Sequence, residues 1–178
     1  CSSDLLGVRM INLLEHVTPH DLIDDPFPHV IVRNPLPQVL VDELTATYPS
    51  EDLFLAADPS APTGSNKRFN IYAQTVGRSD TIAPAWKAFI AEHSSADFMS
   101  HLFRIFAPAI RAYYPFLARK DGAGFGHLRA GLRFRDTYAT CDVLMDAGIS
   151  VNSPVTTLPT SVRLAHLDLP NKLFRSEE

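Results

Sequence analysis

Ser161-Val-Arg-Leu-Ala-His166-Leu-Asp168-Leu-Pro-Asn-Lys-Leu-Phe174 is the stretch whose reading decides the fold. Its β-branched and apolar residues predict a strand over 162–167. On a strand, residues i and i+2 point to one face, so His166 and Asp168 present an imidazole and a carboxylate one pleat apart. That separation suits two cis positions of an octahedral metal. A set of two histidines and one carboxylate leaves three positions open, the arrangement typical of non-haem iron(II). The spacing alone also fits a solvated strand end, because His-x-Asp arises by chance in many chains.

Immediately upstream, 132–136, 140–145 and 149–152 are expected to be successive strands, separated by Asp146-Ala-Gly148 and Ser153-Pro154. Gly122-Ala-Gly-Phe-Gly126 lacks GxGxxG spacing and a following helix, so it predicts a loop and no phosphate cradle. Two helices are expected before it. Ser79 or Asp80 would cap the first, with Ile82, Trp86, Phe89 and Ile90 facing inward. Ser94 or Ser95 would cap the second, which carries Phe98, Leu102, Ile105, Phe106 and Ile110 as core residues until Pro115 stops it.

Residues 56–68 are small and turn-forming and predict a loop. Over 37–48, Val39, Leu40, Leu44 and Tyr48 recur at helical spacing, and Pro49 ends that helix. Asn34-Pro-Leu-Pro37 is a turn, and His29-Val-Ile-Val-Arg33 reads as a strand. Asp25-Pro-Phe-Pro28 excludes helix, and 5–16 is a short amphipathic stretch with helical character. Helices followed by closely spaced strands predict an α+β protein with a sheet or barrel wall covered by helices.

The chain has 178 residues, enough for one domain with a real core. Its 46% hydrophobic and 20% charged residues are those of a globular chain. A net charge of −4 and the lack of a Lys/Arg run give no support for nucleic-acid binding, and no apolar run of about 18 residues suggests a membrane span. Cys1 and Cys141 lie far apart, so reduced thiols and a cytoplasmic location are the expectation. The Cys1-Ser-Ser start also fits a mature bacterial lipoprotein, although a trimmed start is the simpler reading. HExxH, CxxC and GxSxG are all absent from the sequence, which removes support for a zinc peptidase, a zinc ribbon or a serine hydrolase.

The run from Asn152 to Phe174, with Ser161-Val-Arg163, His166-Leu-Asp168 and Pro170-Asn-Lys-Leu-Phe174, resembles the first metal-ligand region of the Fe(II)/2-oxoglutarate-dependent oxygenase superfamily, prolyl-hydroxylase-like branch. Pro26-Phe-Pro-His-Val-Ile-Val-Arg-Asn-Pro-Leu-Pro37 and the helix ending at Tyr48-Pro49 are similar to the first strand and helix of such domains.

The resemblance implies a double-stranded β-helix, or jelly roll, with 1–120 as mostly helical support and 127–178 as barrel strands in a single domain. It implies an oxidoreductase, a dioxygenase that hydroxylates a small-molecule or peptide substrate and converts 2-oxoglutarate to succinate and CO2. Fe(II) would be the cofactor and 2-oxoglutarate the co-substrate. His166 and Asp168 would be both the metal ligands and the catalytic pair. Arg163 and Asn152 are candidates to touch substrate or co-substrate, with structural hydrogen bonding the alternative for both, and Lys172 is a further candidate for the co-substrate that also reads as a solvated turn residue. The family also uses a second histidine and a distal Arg or Lys. Ten residues follow Asp168, none of them histidine, so the expectation is a barrel only partly contained in these residues. A non-catalytic jelly-roll interaction module, in a monomer or an oligomer, is the alternative, and a coincidental His-x-Asp in an unrelated domain is a third reading.

Overall fold

The computed structural model describes residues 12–57, 59, 64–117 and 124–156. The architecture is α+β: helices with two small two-stranded sheets, and no closed barrel among the described residues. The chain divides into two compact units, Cys1–Pro49 with Tyr72–Gly148, and Ser50–Ile71 with Ile149–Glu178.

In the first unit, α1 (Gln38–Ala46) buries Leu40 and Leu44. Val39 is exposed, so the apolar face is narrower than its four-residue pattern suggested. Trp86 of α4 (Pro84–His93) donates its indole N–H to the Leu44 carbonyl at 2.9 Å and meets the Tyr48 ring edge-on, joining α1 to α4. Pro84 takes the first helical position of α4, where no N–H is needed, and Ala83 occupies the N-cap. The expected Ser79 or Asp80 cap is therefore corrected, and Ile82 is buried just ahead of the helix.

The cap of α5 (Ala96–Ile105) is as expected: the Ser95 hydroxyl accepts from the Phe98 N–H at 3.0 Å. Asp97 in its first turn and Arg104 in its last both complement the helix dipole. The helix buries Met99, Phe103 and Ile105, and Leu14, Val17 and Ile105 form a core cluster on which Val30, Phe98, Leu102 and Phe106 pack. Pro108 makes α6 (Ala107–Tyr113) a separate short helix, and Ile110 is its buried residue.

Several elements depart from expectation. His29 makes one antiparallel bridge with Ile23, and no strand forms over 29–33. Asn34 then turns into the left-handed region at φ 49°, and Ile31 stays exposed. β-Branched residues favour extended backbone, but a strand needs a partner ladder as well. Near the loop, α2 (Glu51–Ala57) starts on two acidic residues. It is followed by β1 (Arg68–Tyr72), with Phe69 and Ile71 buried in alternation, and by α3 (Ala73–Arg78). The sheet of β1 with β4 (Gly148–Asn152) belongs to the second unit, where Phe54, Phe69, Ile71 and Ile149 are buried.

The expected strands at 132–136 and 140–145 are shorter and shifted: β2 is Ala130–Leu132 and β3 is Val143–Met145. Phe134 sits at φ 66°, and the Asp136 carboxylate accepts the Leu132 N–H at 2.7 Å, so the chain turns where extension was expected. β2 and β3 pair in parallel, Ala130 with Val143 to Leu132 with Met145, unlike the antiparallel ladders of a jelly roll. Arg129 locks the start of this pair. Its Nε donates to Asp142 at 3.0 Å and its Nη2 at 3.3 Å, which holds the Asp142 carboxyl down at about 2.

Gly131 is fixed by this packing. A Cβ there would collide with the Cys141 sulfur and lie 2.9 Å from the Asp136 Cβ. Gly131→Ala is expected to cost about 1–3 kcal/mol in urea unfolding, because Asp136 is tied by its hydrogen bonds and cannot retreat. Adding Cys141→Ala should recover part of the loss. A neutral Gly131→Ala would contradict the close approach.

Candidate functional site

Four of the five expected site residues, Arg163, His166, Asp168 and Lys172, lie outside the described residues, as does the strand expected at 162–167. Asn152 is described. It ends β4, is exposed, and its side-chain oxygen accepts from Arg68 Nε at 3.2 Å. Side chains cross-link the two strands further along, with Ser150 donating to Asn70 Oδ1 at 2.7 Å and Ser153 accepting the Lys67 N–H at 2.8 Å. The partners rise along β1 as they fall along β4, the order of an antiparallel pair. Asn152 thus has a structural hydrogen bond in the second unit.

Among the described residues, no three His, Cys, Asp or Glu side chains gather into a group able to hold a metal. His127 is exposed in a turn. His93 is instead buried in α4, between the rings of Phe89 and Phe98. Cys141 is a half-buried free thiol.

The first unit contains an open cavity of about 420 Å³ between α3, α4, the start of α5 and β2. Small Ala and Gly residues along its wall leave the space, and Ile90 and Leu132 supply apolar surface. Its charged residues are Lys87 and Arg135, and Arg135 Nη2 is already paired with Asp136 at 2.8 Å. The two serines on the wall also have structural work. Ser94 donates to the Ile90 carbonyl at 2.7 Å, and Ser95 caps α5. Among the described residues, no carboxylate, imidazole or thiol lines this cavity.

Asp146, between β3 and β4, is half-buried and accepts the Ala73 N–H at 3.4 Å. This carboxylate serves the start of α3, whose N-cap residue Tyr72 has no capping side chain. Burial pushes its carboxyl above the usual range, against the opposing pull of that N–H and of Arg133. It was not singled out in the sequence, because a carboxylate two residues before a glycine reads first as a turn residue.

Comparison of the chain with protein families, with curated proteins and with solved structures gives no match. No helix among the described residues is long and apolar enough to cross a membrane.

Proposed function

We propose that the chain belongs to a non-haem iron(II)/2-oxoglutarate-dependent dioxygenase that hydroxylates a small-molecule or peptide substrate. The observation that carries this reading is the segment 161–174, in which His166 and Asp168 stand two residues apart between Ser161-Val-Arg163 and Pro170-Asn-Lys-Leu-Phe174. The jelly-roll barrel, with His166 and Asp168 on one of its strands, is part of the proposal.

The donor chemistry fits the metal. A neutral imidazole nitrogen and a carboxylate oxygen are the donors that iron(II) accepts in cis positions. When bound, the iron supplies the activation of dioxygen, coupled to oxidative decarboxylation of 2-oxoglutarate. Asp168 brings one negative charge to a divalent ion, so a site with one carboxylate and neutral imidazoles keeps a net positive charge. That charge attracts the 2-oxoglutarate dianion. His166 must be neutral to donate, so acidification competes with metal binding.

The test is a thermal-stability titration of the full-length protein with Mn(II), a redox-quiet stand-in, and with 2-oxoglutarate. A ligand bound only by the native state at about 100 times its Kd adds about 2.7 kcal/mol. For a chain of this size that raises Tm by roughly 5–10 °C. The expected pattern is a rise with Mn(II) and a further rise with 2-oxoglutarate that requires the metal. If neither moves Tm, the oxygenase reading fails and the non-catalytic interaction module takes its place.

A further inference from the structure

We propose that His93 is a pH-operated latch that holds the N-terminal segment 12–17 against α4 and α5 and releases its leading end on acidification. Nδ1 of His93 lies 2.7 Å from the Phe89 carbonyl, one turn back in α4. A carbonyl only accepts, so Nδ1 carries the hydrogen. The Leu13 N–H donates to Nε2 at 3.1 Å, across 80 residues of sequence. A backbone N–H only donates, so Nε2 must be bare. The two contacts together demand the neutral ring in one tautomer.

Protonation places a hydrogen on Nε2 that faces the Leu13 N–H, donor against donor. The ring cannot turn to avoid this. It is 7% exposed, with the Phe89 centroid at 4.2 Å and the Phe98 centroid at 5.0 Å. Beside the latch, Leu14 and Val17 pack on Ile105. Losing the Leu13 contact therefore loosens the cover over an apolar face of α5.

Of the charged and titratable groups on the packed elements, Glu92 is the one that acts on the ring. On α4, Glu92 favours the imidazolium. The segment itself carries Glu15 and His16, and α5 carries Asp97 and His101. His101 Nε2 lies 3.2 Å from the Val17 carbonyl and can donate to it. That bond survives protonation, so the trailing end of the segment stays tethered while the leading end opens.

The direction follows from burial, which holds the His93 imidazole below its ordinary 6.5 despite Glu92 and the Phe89 carbonyl. In the open state water reaches the ring, and its affinity for a proton rises towards that ordinary value. The latch is then at full strength above 6.5 and weakens as pH falls below it, by at most tenfold per unit, until the folded value is reached.

Hydrogen exchange of the Leu13 amide between pH 7.5 and 5.0, corrected for intrinsic exchange, tests the latch. Protection is expected to fall by up to about tenfold per pH unit below 6.5, while amides of α1 keep theirs. His93→Gln can donate to Phe89 and accept from Leu13 without titrating, so its protection should be flat with pH. A flat wild-type profile overturns the proposal, and so does an unchanged slope in His93→Gln. If that variant fails to fold, the wild-type His93 ring proton signals decide. Their titration must run below the ordinary histidine value and move the Leu13 amide signal in step, and independent titration of the two overturns the latch.

Discussion

His166→Ala and Asp168→Ala are each expected to abolish 2-oxoglutarate turnover and to erase the metal-dependent rise in Tm. On the proposed reading each substitution removes a direct donor: Asp168→Ala loses the carboxylate charge, His166→Ala loses the imidazole nitrogen, and water replaces neither. A loss of about a thousandfold or more, equivalent to about 4 kcal/mol of binding or transition-state free energy, is the expected scale. Asp168→Glu keeps the charge but moves the oxygen by one methylene, so it should retain some metal response while losing most turnover. The measurement is succinate release from 2-oxoglutarate in the full-length protein, alongside the Mn(II) melting titration. Alanine variants with wild-type turnover and wild-type metal response would remove the oxygenase assignment. An alanine variant that loses turnover but keeps the melting response would leave the metal site elsewhere.

Ile105→Ala is expected to lower the unfolding free energy by about 2–5 kcal/mol. Ile105 is fully buried in the Leu14–Val17–Ile105 cluster, with Phe98, Leu102 and Phe106 packed around it. Truncation removes three carbons from a site whose walls come from three separate stretches of chain (Leu14 with Val17, Val30, and Phe98 to Phe106), so collapse of the void requires all of them to move. Ile105→Val should cost only about 1 kcal/mol, because most of the contact remains. Urea unfolding followed by circular dichroism measures both. The cost of Leu14→Ala should not add fully to that of Ile105→Ala, since the two remove opposite sides of one contact. A loss under about 1 kcal/mol for Ile105→Ala would mean that the cluster is not the packing centre of its unit.

The helices were legible wherever a buried face met a clear boundary signal. Ser95 before an apolar repeat located the start of α5, and the same repeat identified Ile105 and Ile110 as core. Pro84 was the better start signal for α4 than Ser79 or Asp80, because its ring suits the first helical position. α2 and α3 were hidden. Each is one or two turns long with one or two buried residues, too few to show a period of 3.6. β1 did carry an alternating pattern in Phe69 and Ile71, but it follows a run of turn residues that pulled the reading toward loop.

The sequence by itself determined the α+β class, the Ser95 cap of α5, and buried positions of the longer helices such as Leu40, Leu44, Ile90 and Ile105. All of these rest on interactions within a few residues. Tertiary structure alone decided which extended segments became strands. His29-Val-Ile-Val-Arg33 has strong β character and found a single bridge, while Ala130-Gly-Leu132 has little and gained a parallel partner held by Arg129 and Asp142. It also decided the state of His93, whose tautomer is set by Leu13 from the far end of its unit. A strand needs its neighbour's hydrogen bonds, and a buried imidazole needs the groups that surround it. Both come from chain too distant for local spacing to reveal.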